Sequence, residues 1–368
     1  MIKVSEPNIG KLEESNVIRS LRSGMISSFG PAVEEFEKKW AKFCNRKYGV
    51  SVANGTVALQ LALKILNLKK DDEIIMPSNT IISCAMAAAY NDLKIIPIDC
   101  RIDNWCIDED LIEDKITKKT KAILIVNIFG HPCNMDKIIK ISKKYKLYII
   151  EDAAESHGSK YKNKMCGSFG DISTFSFYAN KLITTGEGGM LLMNNKKLYE
   201  AARYYRNLCF NEKDRFNHKH LGFNFRFTNI QAEIGLAQIK RIKKFIKKKL
   251  FIAKYYNKSF KDNKSIQIVI NKKWAFNTYW MYGIVIKNKI ITAKNFIKKL
   301  KAKNIEARPF FYGLHMQNIL KKIVKKNSKC ANTEYISKYG FYIPSGLNIN
   351  KKELNTVSNT VNNLINNI

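Results

Sequence analysis

Lys121-Ala122-Ile123-Leu124-Ile125-Val126-Asn127 opens a unit that closes with Leu147-Tyr148-Ile149-Ile150-Glu151-Asp152, and a helical stretch, Met135 to Tyr145, lies between them. Each flanking run is short, apolar and rich in β-branched residues, the pattern of a strand buried on both faces. Strand, helix, strand is the crossover that makes two strands parallel. The same alternation extends outward. Upstream, Val33, Phe36, Trp40 and Phe43 mark a buried helix face within a first helical stretch reaching about residue 45. Ala53-Asn54-Gly55-Thr56 then turns into a helix from Val57 to Leu66. Glu73 to Pro77 and Lys94 to Asp99 read as strands around a small-residue helix, Ile81 to Tyr90. Downstream, Asp171 to Phe177 and Gly189 to Met193 read as two more strands. The expectation is an α/β fold of three layers, a mostly parallel sheet covered by helices on both faces. Ligands of such sheets sit beyond the carboxyl ends of the strands.

From about residue 250 the texture changes to a helix (Leu250 to Phe260), strands (Ile266 to Ile270, Tyr279 to Ile286) and two further helices (Ala293 to Lys303, Lys351 to Ile365). The 368 residues exceed the size of one core. We therefore expect a large α/β domain over 1–249 and a smaller C-terminal α+β domain over 250–368.

The net charge is +33, from 64 basic and 31 acidic residues. Such a charge could serve nucleic acid, which leaves a basic binding or regulatory protein as a remote alternative. The lysines are instead spread along the chain, as on solvated faces. Even the densest cluster, Arg241 to Lys249, keeps Ile242, Phe245, Ile246 and Leu250 in one stripe, the pattern of a surface helix with a charged back. The eight cysteines form no C-x-x-C pair, so no metal site is expected. No apolar core follows Met1 to Pro7 and no apolar run reaches membrane length. A soluble, cytoplasmic protein is expected, with no membrane or nucleic-acid partner.

Three signals lie at the expected crevice. In Ser173 to Gly189 an apolar strand ends at Ser176, a lysine follows at 181, and a glycine-rich turn comes after it. Desolvation at a strand mouth lowers a lysine pKa and frees the amine as a nucleophile. On composition alone, Lys181 would be one more surface lysine. Asp152 ends the strand Ile149-Ile150-Glu151, where it would cap a helix or hold a protonated ring nitrogen. Asn54-Gly55-Thr56 opens a helix, whose first N–H groups cradle anions. Together they suit pyridoxal phosphate (PLP): phosphate on the turn, ring nitrogen on the aspartate, carbonyl carbon on the lysine.

At these residues the chain resembles the DegT/StrS-type nucleotide-sugar aminotransferases, enzymes of PLP fold type I (aspartate aminotransferase-like). The likeness takes in Ser23-Gly24 with Ser27-Ser28-Phe29-Gly30, Asn54-Gly55-Thr56, and Glu151-Asp152-Ala153-Ala154-Glu155. It continues through Phe175-Ser176-Phe177 with Lys181, Gly186-Glu187-Gly188-Gly189, and Gly222 to Thr228. The resemblance implies that Lys181 holds pyridoxal 5'-phosphate covalently and then moves the proton between cofactor and substrate carbons, with pyridoxamine 5'-phosphate as the intermediate form of the cofactor. It implies that Asp152 pairs with the ring nitrogen and Glu155 lies near the ring. It gives the phosphate to Gly55, Thr56 and Ser176, and sends Asn224 to the cofactor of the other subunit of a homodimer. Where many relatives place an aromatic residue after Pro77-Ser78, this chain reads Asn79-Thr80-Ile81-Ile82, so no stacking residue is assigned.

Within the family, Asn304 to Tyr312 and His315 look closest to the perosamine-synthase group. That likeness implies amino transfer from L-glutamate to C4 of a nucleotide-linked 4-keto-6-deoxy sugar. GDP-4-keto-6-deoxymannose, giving GDP-perosamine, is the first choice. A UDP- or dTDP-linked 4-keto-6-deoxyglucose, giving a viosamine-type product, is the alternative. Arg308, Tyr312 and His315 are the candidate substrate contacts. A guanidinium can grip a diphosphate, although Arg308 could also pair with Glu306.

Overall fold

Short apolar runs become strands and the amphipathic stretches between them become helices. The computed structural model describes residues 1–211, 213–287, 289–325 and 328–367. In chain order the elements are α1 (Lys11–Arg22), α2 (Pro31–Phe43), β1 (Tyr48–Val52), α3 (Gly55–Ile65), β2 (Glu73–Pro77), α4 (Ile82–Ala89), β3 (Lys94–Ile98), β4 (Thr120–Val126), α5 (Met135–Tyr145) and β5 (Tyr148–Asp152). Then come β6 (Lys160–Tyr161), β7 (Lys164–Met165), β8 (Ile172–Ser176), β9 (Gly189–Met193), α6 (Lys196–Arg206) and α7 (Asn229–Phe260). The remainder is β10 (Ile266–Ile268), β11 (Ala275–Phe276), β12 (Tyr282–Ile286), α8 (Ala293–Ala302), β13 (Arg308–Pro309), α9 (Ala331–Tyr339), β14 (Gly340–Ile343) and α10 (Lys351–Asn366).

Seven strands form one sheet in the order β1-β9-β8-β5-β4-β2-β3. β9 runs against both its neighbours, and every other pairing is parallel. This is the mostly parallel sheet that the alternation predicts. Ile74, Ile75, Ile123, Leu124, Ile150 and Leu191 are fully buried within it, as two-sided coverage requires. β5 and β8 end side by side, pairing Asp152 with Thr174, and so deliver Asp152 and Ser176 to one edge. β9 starts against the turn before α3. A side chain at Gly189 would lie 2.4 Å from Asn54 O and 2.9 Å from Gly55 N, so only glycine allows the approach.

Beyond this sheet, β10-β12-β14-β13 form an antiparallel sheet packed with α8 and α9, and β11 joins the β6–β7 hairpin. Two strands are shorter than their apolar runs. Ile270 leaves β10 because its N–H donates to Asp103 O at 2.8 Å. β12 begins only at Tyr282, since Tyr279 has φ 52°, a left-handed conformation no strand accommodates. Among the described residues no helix is long and apolar enough to cross a membrane.

The largest departure from expectation is α7. The helix expected to start at Leu250 is the last third of a single 32-residue helix, and position 249/250 lies inside it. Thr228 and Gln231 cap its start reciprocally. The lysine run does not interrupt it, because lysine is a good helix former. Ile242 and Phe245 are buried as the stripe predicts, but Lys249 is not on a solvated back. It is 4% exposed, and its ammonium donates to Trp280 O (2.8 Å) and Ser345 O (2.6 Å). Carbonyls from two distant loops converge there, which a helical stripe does not reveal.

Burial pushes the Lys249 amine down to about 7. Unfolded, it titrates near its ordinary value of about 10.4. Between those pH values the unfolded chain binds a proton that the folded one lacks. The contribution of this group to stability therefore rises with pH across that window, by about 1.4 kcal/mol per pH unit. Thermal melts from pH 7 to pH 10 should show the parent gaining on Lys249→Met. Parallel curves would exclude a depressed amine.

Candidate active site

The carboxyl ends of β5 and β8, the start of α3 and the loop after β8 surround one cavity of about 670 Å³. Gly55, Thr56, Asp152, Glu155, Ser176, Lys181 and Arg308 all line it. The three separate sequence signals thus converge on one space.

The anion cradle is built from α3 and β8. Gly55 and Thr56 are the first residues of α3, where N–H groups have no intrahelical acceptor. Asn54 caps the helix by accepting from Val57 N at 3.0 Å. Thr56 Oγ1 lies 2.9 Å from Ser83 Oγ. A Cβ on Gly55 would stand 2.7 Å from Ser176 Cβ, so the glycine keeps this mouth open. Gly55→Val is expected to leave the sheet intact while lowering retention of a phosphate-bearing cofactor at least about tenfold, the loss of one or more charge-assisted hydrogen bonds. Equilibrium dialysis checks this, and unchanged retention would remove the phosphate from this turn.

The opposite wall holds charge. Asp152 is 3% exposed, and its carboxylate accepts from Ala154 N at 3.0 Å and from the Cys84 thiol at 3.4 Å. Burial raises its pKa, against the pull of those hydrogen bonds and of the Lys181 charge. Glu155 accepts from Phe129 N at 2.7 Å, and burial pushes it up to about 7. Burial lowers the Lys181 amine, and the charges of Glu155 and Asp152 oppose that only in part. The result is a lysine with easier access to its neutral, nucleophilic form, facing two acids reluctant to ionise. Thr174 Oγ1 and Asn180 Oδ1 are buried in the cavity wall without a hydrogen-bond partner among the described residues, as groups awaiting a polar ligand would be.

Two contributors escaped the sequence reading. Trp280 lines the cavity, and its ring centroid lies 3.9 Å from Lys181 Nζ. It sits in Tyr279-Trp280-Met281-Tyr282, an apolar run that reads as strand core. Ile81 also lines the cavity and is 41% exposed, so the position following Thr80 offers an aliphatic rather than an aromatic surface.

The other sequence candidates lie differently. Arg308 both lines the cavity and bonds Glu306 Oε1 through Nε (3.2 Å) and Nη2 (3.0 Å), combining its two anticipated roles. Tyr312 is 53% exposed and lies outside the lining. Both ring nitrogens of His315 are engaged, Nδ1 with Ser78 Oγ at 2.6 Å and Nε2 with Glu334 at 3.1 Å. Asn224 is exposed and does not line the cavity of its own chain. Among the described residues no three His, Cys, Asp or Glu side chains cluster as a metal site would require.

The pattern of the DegT/DnrJ/EryC1/StrS aminotransferase family matches residues 7–362. The chain belongs to this family. It is 41% identical over 314 residues to GDP-perosamine synthase of Escherichia coli O157:H7, covering 85% of each chain. It is 35% identical over 320 residues to GDP-perosamine synthase of Caulobacter vibrioides, covering 86% of this chain and 85% of that one. Among solved structures, E. coli GDP-4-keto-6-deoxy-D-mannose-3-dehydratase with bound hydrated PLP superposes with a TM-score of 0.92 at 26% identity, covering 98% of this chain and 99% of that chain. The sheet is that of the PLP-dependent sugar aminotransferases, and the protein is a PLP-dependent aminotransferase. The cradle, the buried acid and the cavity lysine fit that cofactor.

Proposed function

We propose that this enzyme moves the amino group of L-glutamate to C4 of GDP-4-keto-6-deoxymannose, yielding 2-oxoglutarate and GDP-perosamine. The observation that carries the reaction type is one cavity lined by a lysine whose amine burial depresses, a buried aspartate and the start of a helix fit to hold an anion. The likeness to the two perosamine synthases supports the choice of sugar and nucleotide.

Bound PLP supplies a protonated ring that draws electron density away from the amino-bearing carbon. The protein does the rest. Asp152 holds the proton on the ring nitrogen, and Glu155 flanks the ring. Ile81 would offer the cofactor an aliphatic surface at the cavity wall. Gly55, Thr56 and Ser176 hold the phosphate. Lys181 would anchor the cofactor and, as a free amine of depressed basicity, would hold and move the proton that amino transfer requires. Arg308 stands at the cavity wall for the diphosphate, while Tyr312 and His315, outside the lining, stay candidate contacts for the sugar beyond it.

The working form in this reading is a homodimer. Phe29 (87% exposed), Phe216 (79%) and Leu221 (92%) are apolar and bare, and Asn224 close to Leu221 is turned away from its own cavity. Pairing would cover these residues and bring Asn224 to the other subunit's phosphate. All eight cysteines are buried and free, as suits a reducing cytoplasm.

Incubating the holoenzyme with L-glutamate and GDP-, UDP- or dTDP-linked 4-keto-6-deoxy sugars tests the proposal. Mass and NMR analysis should show the GDP sugar aminated at C4, with 2-oxoglutarate in equal amount. Amination at C3, or preference for a UDP or dTDP sugar, would overturn the substrate assignment.

A further inference from the structure

Four contacts fix Trp280, and they come from both sides of the site. Its ring centroid lies 3.9 Å from Lys181 Nζ. Its indole N–H donates to Asn180 O at 2.9 Å, one residue before that lysine. Its ring stacks on Phe129 at 6.3 Å and 19°, and Phe129 N donates to Glu155 at 2.7 Å. Its own carbonyl accepts from buried Lys249 at 2.8 Å. The ring cannot swing without breaking one of these links. Among the described residues, Lys181 Nζ makes no hydrogen bond or ion pair, so the indole face is the contact that fixes where this amine sits.

An amine that must leave the cofactor and return has a positioning problem. A lysine has a flexible four-carbon stem, and once released its head could fold onto Glu155 or out to solvent. An indole face attracts an ammonium through the ring quadrupole without supplying a proton acceptor. It can therefore hold the lysine close without neutralising it, and release it with no hydrogen bond to break. We propose that Trp280 is a positioning residue, whose ring face is the resting place of the Lys181 amine whenever that amine is not bonded to the cofactor. The proposal rests on the assignment of Lys181 as the anchoring amine.

The experiment uses the full-length protein stripped of cofactor and labelled with trace acetic anhydride across a pH series. Acylation of Lys181 is read from its own peptide by mass spectrometry. The midpoint of that profile reports ammonium stability separately from access. In Trp280→Leu it should fall by about one to one and a half pH units, the loss expected of a desolvated ammonium–indole contact. An equal or higher midpoint in a folded Trp280→Leu protein overturns the proposal. Should that variant not fold, Trp280→Phe keeps a ring of weaker quadrupole. A smaller fall is then expected, and no fall overturns the proposal. Borohydride reduction of the parent holoenzyme separates the two assignments. Finding the cofactor on another peptide removes Lys181 as the anchor and this proposal with it, whereas unchanged midpoints remove only the role of Trp280.

Discussion

Lys181→Ala is expected to fold as the parent does and to lose at least about 10⁴-fold in turnover, since one substitution removes both the nucleophile and the proton carrier. Folding should survive because Lys181 Nζ holds nothing in place through a hydrogen bond, and its stem is only partly buried in the cavity wall. The two nearby acids also tolerate its loss. Burial already raises Asp152 and Glu155, and removing the lysine charge raises both further, which eases the cost of leaving them without that partner. Lys181→Arg sharpens the result. It keeps a cation near the acids, but a guanidinium does not deprotonate and offers no amine. Both variants should lack the visible absorbance that borohydride abolishes in the parent, and both should fail a single-turnover assay with glutamate. Turnover within tenfold of the parent in either variant would strip Lys181 of its role.

The legible parts of this protein are those where local sequence and final environment coincide. β4 and β5 could be read because each is a short, β-branched apolar run bounded by polar residues, and α5 because Met135, Ile138 and Ile141 recur at helical spacing between them. Asp152 and Ser176 could be read because each is the last residue of its strand, which is where the sheet delivers a side chain to its ligand edge. The other features depend on chain segments that meet only in the fold. Lys249 lies between carbonyls 31 and 96 residues away. His315 is tied to Ser78 across 237 residues, and that bond, more than its closeness to Arg308 in sequence, decides which way its ring points. Trp280 reaches Asn180 across 100 residues. β1 offers only five residues with Gly49 and Ser51 among them, so no alternation shows there, and α6 buries only Ala202 fully although Leu198 and Tyr205 flank it at helical spacing. One-letter patterns reveal what a segment is made to hide in. They do not reveal the single distant carbonyl or ring that it meets.

Asp152→Asn is expected to slow the glutamate half-reaction by about 10²- to 10⁴-fold, the range set by losing one positioned proton partner. The substitution is nearly isosteric, so geometry should be kept. An asparagine carbonyl still accepts from Ala154 N, which bonds Asp152 at 3.0 Å, and the side chain stays 3% exposed at the end of β5. What disappears is the negative charge. An uncharged amide cannot hold a proton on the pyridine nitrogen, and without that proton the ring is a poor electron sink. The pH behaviour separates this account from mere damage. Because burial raises the Asp152 carboxyl above its ordinary range, parent protein stripped of cofactor should rebind it less well as acidity neutralises that group. The asparagine variant should bind weakly but lose that acid limb, since nothing remains at 152 to titrate. Stopped-flow absorbance gives the rate, and rebinding titrations from pH 5 to pH 8 give the limb. A variant within tenfold of the parent, or one that keeps the acid limb unchanged, would mean that the ring nitrogen takes its proton partner from elsewhere. The two buried acids would then have to exchange roles, with Glu155, pushed up to about 7, as the group that titrates.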